Sequence, residues 1–207
     1  GINATAMVMI APAPLLVIAD SAWRKQIRWR AALGIVWRIG IGSLGVSIWW
    51  ITGLMIQGKF GAPVLAYSET LEAVSFTSVS TEVLRGLGYW ITYVTDPTGP
   101  LTSASFHYEL SVVVMAAGFA LILLGAAGLV AVRWSGRRLA TLFVLTGVVL
   151  AVGPHPIGDP PPLTSPLAQA SRSTLALSLR SSTRAVPVAM LGLALGAGAV
   201  VTALAVR

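Results

Sequence analysis

The sequence predicts an all-α polytopic membrane protein. Apolar residues occupy 56% of the chain and charged residues only 10%, which is too few charges to cover a water-facing surface. The apolar residues gather into runs comparable to the ~20 residues that cross ~30 Å of hydrocarbon, and the mean hydropathy of +0.82 follows from them. Basic residues collect at the ends of those runs. Helices rather than strands are expected, because lipid-facing backbone in an open segment must satisfy its own hydrogen bonds.

The first run, residues 3–19, is short for a crossing and is interrupted by Pro12 and Pro14, so it reads as the tail of a span. A basic turn from Arg24 to Arg30 leads into a long second run, residues 31–56, with Trp49-Trp50 toward its far end, at headgroup depth. Runs 109–132 and 139–152 are joined by Arg133-Trp134-Ser135-Gly136-Arg137-Arg138, a turn tight enough to force an antiparallel hairpin. The last run, residues 186–206, carries Gly192, Gly196 and Gly198, whose missing side chains let neighbouring helices approach closely. Arg38 lies inside the second run near its basic end, where its long side chain reaches the boundary by snorkelling. The chain opens Gly1-Ile2-Asn3 with no basic n-region or cleavage site, and it reads as an internal piece of a longer polypeptide.

Charge placement sets the expected orientation. Turns 20–30 and 133–138, with Arg207, hold eight basic residues, whereas the far longer segments 57–108 and 153–185 hold five: Lys59, Arg85, Arg172, Arg180 and Arg184. The positive-inside rule puts the first set in the cytoplasm and the two long loops outside the cell membrane. The same clustering at span ends argues against nucleic acid as the partner of the +7 net charge. With no cysteine, the chain has no disulfide, thiol nucleophile, thiolate metal site or palmitoylation site.

Chemistry is therefore sought in the two long loops. Val64, Tyr67, Leu71 and Val74 fall on one helical face with Glu69 opposite, which predicts a helix along the membrane surface. A second is expected from Thr81 as N-cap, with Val83, Leu87, Trp90 and Val94 as its apolar stripe. Glu69, Glu72 and Glu82 are candidates for a general base or for sugar-hydroxyl recognition; equally, they are the solvated faces of interfacial helices. Arg85 either meets a lipid phosphate or pairs with Glu82 or Glu69. In the second loop, Arg172, Arg180 and Arg184 stand among hydroxyl residues, a composition suited to a phosphate diester or a sugar and also to plain solvation. His155 and Asp159 are too few, in a Pro-rich turn, to make a metal site, and His107 is a boundary residue.

The stretch from Trp49-Trp50 to Gly86 resembles the membrane region of the actinobacterial alpha-(1->3)-arabinofuranosyltransferases, the AftD-type enzymes of cell-wall arabinan synthesis. The resemblance is carried by the paired Trp, the Lys59-Phe60 step with Pro63, Ala66-Tyr67-Ser68-Glu69, and Thr81-Glu82-Val83-Leu84-Arg85-Gly86 followed by Trp90; it extends to Gly1-Ile2-Asn3-Ala4 and to the Arg184-to-Pro187 step. It implies one class C glycosyltransferase-like membrane domain over residues 1–207, an extracytoplasmic site, a polyprenyl-phospho-arabinofuranose donor and a glycan acceptor. It also implies membrane lipid as partner, Glu69, Glu82, Arg85 and Arg184 as substrate-binding residues, and a catalytic aspartate in a first outer loop that nothing here matches. A divalent metal is compatible with the class, without a ligand set. The rivals are a lipid or solute transporter, which would concentrate its polar groups at mid-membrane, and a non-catalytic assembly module.

Overall fold

The computed structural model describes residues 4–61, 70–171 and 181–206, and they are predominantly helical. The chain divides into two compact units, Ala13–Ser68 and the combination of Gly1–Pro12 with Glu69–Arg207.

The first of these units contains nearly all of α2 (Pro12–Trp23) and the whole of α3 (Trp29–Phe60). α2 ends in a Schellman turn. Gln26 N–H donates to Ser21 O at 3.0 Å and Lys25 N–H to Ala22 O at 3.0 Å, with Lys25 itself at φ 59°. An ion pair of 2.7 Å from Arg24 to Asp20 clamps the same end. α3 runs 32 residues, about 48 Å at 1.5 Å per residue. It stops at Gly61, whose N–H returns to Gln57 O at 2.7 Å.

The second unit begins with α1 (Ala4–Ile10), which packs on a short 3-10 turn, Ser182–Ala185. Next come α4 (Leu71–Thr77), α5 (Ser80–Leu84), a 3-10 turn Trp90–Tyr93, and a minimal hairpin pairing Thr95–Asp96 with Gly99–Pro100. α6 (Ser103–Leu110) leads to α7 (Val112–Val130), α8 (Arg137–Val152), α9 (Ser165–Ser171) and α10 (Val186–Ala205).

The core of this unit is α10 laid against both α7 and α8, its two most extensive neighbours. Small residues set the distance. A β-carbon on Gly192 would stand 2.5 Å from Ala140 O, and one on Gly125 would stand 2.7 Å from Leu193 O. Gly128 and Gly196 meet backbone to backbone, and Gly147 meets the Ala189 backbone, with no room for a methyl group. Such packing brings main chains together where lipid offers no hydrophobic drive for association. Nearer the loop end, Met9, Val83, Ala151, Ala185 and Val186 are buried as one cluster.

Four stretches are long and apolar enough to cross a bilayer: Thr5–Trp23, Trp29–Gln57, Val112–Val130 and Ser182–Ala205. They match four of the five expected runs. The run 139–152 forms α8, whose 16 residues reach only about 24 Å, short of the ~30 Å core. Its Ala140, Phe143, Gly147 and Ala151 are buried. The apolar content of this run thus serves protein packing as well as any contact with lipid.

Candidate functional site

The segment between α4 and α6 gathers the polar groups. Thr70 starts α4 by accepting Ala73 N–H on its Oγ1 at 3.1 Å, which turns Leu71 and Val74 inward and leaves Glu72 exposed. α5 lasts only five residues, because Gly86 adopts φ 81° and ends it. The expected stripe Val83, Leu87, Trp90 and Val94 is therefore not one helical face. The helix starts at Ser80, with Val79 rather than Thr81 in the cap position.

That early stop folds the chain back onto Glu82. Tyr93 Oη donates to Glu82 Oε2 at 2.8 Å, and Arg85 Nη1 donates to Glu82 Oε1 and Oε2 at 2.9 and 3.2 Å. Arg85 Nη2 donates to Tyr108 O at 2.6 Å, while the guanidinium lies 5.7 Å from the Phe119 ring centre. Only 5% of the Arg85 side chain is exposed, against 24% for Glu82. Arg85 is thus a buried cation with a carboxylate partner. Burial, then the Glu82 hydrogen bond and charge, push the Tyr93 phenol well above its ordinary value. Glu109 joins the same neighbourhood, its carboxyl raised by burial and then by the Glu82 charge. Glu109 Oε1, Arg85 Nε and Trp90 Nε1 are buried with no hydrogen-bond partner among the described residues.

A second constellation adjoins the first along the chain. The Ser182–Ala185 turn presents Arg184 over Tyr89, the guanidinium carbon 5.2 Å from the ring centre and Nη2 3.4 Å from the phenolic oxygen. These residues, with Gly86, Leu87, Thr183, Val186 and Pro187, line a cavity of about 240 Å³ at the N-terminal end of α10. Thr183 Oγ1 is buried there without a hydrogen-bond partner among the described residues. Hydroxyls fix the surrounding backbone. Ser182 Oγ donates to Ala151 O at 2.9 Å and Ser78 Oγ to Val152 O at 3.1 Å, tying down carbonyls at the end of α8. His155 Nδ1 sits 2.7 Å from Ser75 O.

Of the four residues singled out by sequence, Glu82 and Arg85 are joined and Arg184 lies on the adjoining cavity, while Glu69 is outside the described residues, as are Arg172 and Arg180. Tyr89, Tyr93, Glu109 and Thr183 were not anticipated. Glu109 alone carried a signal, an acidic residue directly before an apolar run. Among the described residues no three of His, Asp and Glu come together.

Comparison with known proteins gives this arrangement a setting. The family model for "Alpha-(1->3)-arabinofuranosyltransferase, N-terminal GT-C domain" matches residues 1–207. A protein of Mycolicibacterium smegmatis (strain ATCC 700084 / mc(2)155) named alpha-(1->3)-arabinofuranosyltransferase is 29% identical over 174 residues, 83% of this chain and 12% of that protein. The chain thus spans about an eighth of the length of the relative it matches. No solved structure matches.

Proposed function

Since the chain belongs to the family of the alpha-(1->3)-arabinofuranosyltransferase N-terminal GT-C domain, we propose that it forms part of a membrane glycosyltransferase. In this reading the parent enzyme moves arabinofuranose from a polyprenyl-phosphate donor to cell-wall arabinan at the outer face of the plasma membrane. Residues 1–207 contribute to one class C domain, and the loops 57–108 and 153–185 face outward.

The supporting observation is the Arg184 cavity. A polyprenyl phosphate keeps its tail among apolar helices and its phosphate at their ends, which is where Arg184, Tyr89 and the buried Thr183 hydroxyl converge beside Val186 and Pro187. In transfer, the acceptor oxygen bonds to the anomeric carbon as the bond to the lipid phosphate breaks, and the phosphate leaves with the electron pair. A guanidinium beside that oxygen stabilises the developing charge through paired N–H donors that lysine does not reproduce. The acceptor proton needs a base. Glu82 is poorly suited to that role because its carboxylate is held by Arg85 and Tyr93. We assign Glu82 and Arg85 instead to positioning the turn that carries Tyr89, and we leave the catalytic carboxylate to another part of the parent enzyme.

The test is kinetic, in the full-length enzyme. Arg184→Ala and Arg184→Lys should raise the KM for the donor by roughly tenfold or more, the cost of a charged hydrogen bond, with acceptor KM little changed. Unchanged donor KM in both variants would remove Arg184 from the site. Orientation is checked separately on the cysteine-free background: Ser80→Cys should react with an impermeant thiol reagent in intact cells and Ser135→Cys should not.

A further inference from the structure

The turn between α2 and α3 joins two stretches that are each long and apolar enough to cross a bilayer, Thr5–Trp23 and Trp29–Gln57. Only Arg24 to Arg28 make the connection. Beside it lies a cavity of about 500 Å³ lined by Ala22, Trp23, Lys25, Ile27, Arg28 and Trp29. We propose that this cavity binds the headgroup of an anionic phospholipid. The proposal does not depend on the transferase reading.

Three observations carry it. First, two cations line the pocket and no carboxylate does. Asp20, the only acid in the first 68 residues, is buried and held by Arg24 at 2.7 Å. Neither Lys25 nor Arg28 forms an ion pair among the described residues, and Arg28, in the cap position of α3, makes no side-chain bond to that helix. Second, the rest of the lining suits the depth of a headgroup. Ala22 is buried and Ile27 half-buried, while Trp23 closes one span and Trp29 opens the next, so an exposed indole stands at each edge of the turn. Acyl chains from a phosphate held there would run along the apolar spans. Third, Lys25 sits at φ 59°, in the position of the Schellman turn that glycine fills most easily. The positive-inside rule asks for charge anywhere in the turn, so it does not account for a cation at this strained place. Basic pockets at the membrane surface bind phosphate headgroups by charge and N–H donors, whereas a zwitterionic lipid brings its own cation and loses that advantage.

The experiment places a photoreactive benzophenone side chain at Gln26, in the turn but outside the pocket lining, in the full-length protein. The protein is held in nanodiscs of phosphatidylglycerol and phosphatidylcholine in equal parts, and the lipid cross-linked to the turn is identified by mass spectrometry. With Lys25 and Arg28 in place, phosphatidylglycerol should be captured over phosphatidylcholine by roughly 25-fold, about fivefold for each cation. Lys25→Gln and Arg28→Gln should each lower that preference about fivefold, and K25Q/R28Q should bring it near parity, while K25R/R28K should keep most of it. Arg30→Gln, an exposed charge outside the pocket, should change it less than twofold. Equal capture of the two lipids without these changes, or an unchanged preference in K25Q/R28Q, would overturn the site. A loss from Arg30→Gln as large as that from Arg28→Gln would mean diffuse attraction to the surface and no pocket. If millimolar inorganic phosphate abolishes the capture of phosphatidylglycerol, the pocket takes free phosphate and the lipid assignment fails. Should the double variant not fold, Arg28→Gln decides: a loss near fivefold supports the proposal and no loss rejects it.

Discussion

Helices α3 and α10 are both glycine-rich and apolar, yet glycine does different work in each. On α10, Gly192 and Gly196 press against the backbones of α8 and α7, and a methyl group on either would collide with main-chain atoms. On α3, Gly34, Gly40, Gly42, Gly45 and Gly53 have nothing within 4 Å of where a β-carbon would be. Composition alone does not distinguish them. What separates the two is a partner at backbone distance: glycine weakens a helix by ~1 kcal/mol relative to alanine, and only close approach of another chain segment repays that cost.

The contrast can be broken most sharply at its tightest point. Gly128→Ala and Gly196→Ala force apart two main chains and should destabilise the protein by about 3 kcal/mol, lowering the melting temperature in detergent by about 10 °C. A shift under about 2 °C would mean that α7 and α10 are not seated as described. The polar end of the same unit ranks next. Glu82→Ala strips a buried guanidinium of its carboxylate and should cost about 2–3 kcal/mol, while Glu82→Gln, which can still accept from Tyr93, should cost less; no loss of stability in either variant would deny the ion pair its role.

On α3 the sign should reverse. Gly42→Ala should be neutral or stabilising by up to ~1 kcal/mol, and a clear loss of stability in the full-length protein would reveal a neighbour pressed against that position. The smallest effect concerns Glu109. Because its folded-state carboxyl is raised above the ordinary value of 4.5, its stabilising contribution is complete below that value and is lost as pH rises through the raised one. Glu109→Gln should flatten the melting temperature across that window without moving its acidic limb.

The spans were legible because length and apolarity speak directly: the runs at 109–132 and 186–206 reappear as α7 and α10 within a few residues. The run 139–152 reappears as α8, where Ala140, Phe143, Gly147 and Ala151 bury against protein, a use that reads in sequence like facing lipid. The site was legible only where it is local. Glu82 and Arg85 lie three apart and pair, as spacing allows. Tyr93 reaches Glu82 only because Gly86 takes a left-handed backbone, which a helical reading of Val83, Leu87, Trp90 and Val94 overlooks. Tyr89 beneath Arg184 depends on a contact across 95 residues, beyond any local pattern.

The length of α3 has a mechanical consequence. A rod of about 48 Å in a hydrocarbon slab of ~30 Å must lean or protrude, and even at a tilt of ~40° it still spans roughly 37 Å along the membrane normal. At least one terminus therefore stands among headgroups. The two ends are furnished for that layer, with Trp29 at one and Lys59 resting over the Phe60 ring, 5.3 Å from its centre, at the other. Membrane thickness thus becomes a variable to which the helix answers by angle: a thinner bilayer lays it flatter and carries its ends sideways, while a thicker one stands it upright.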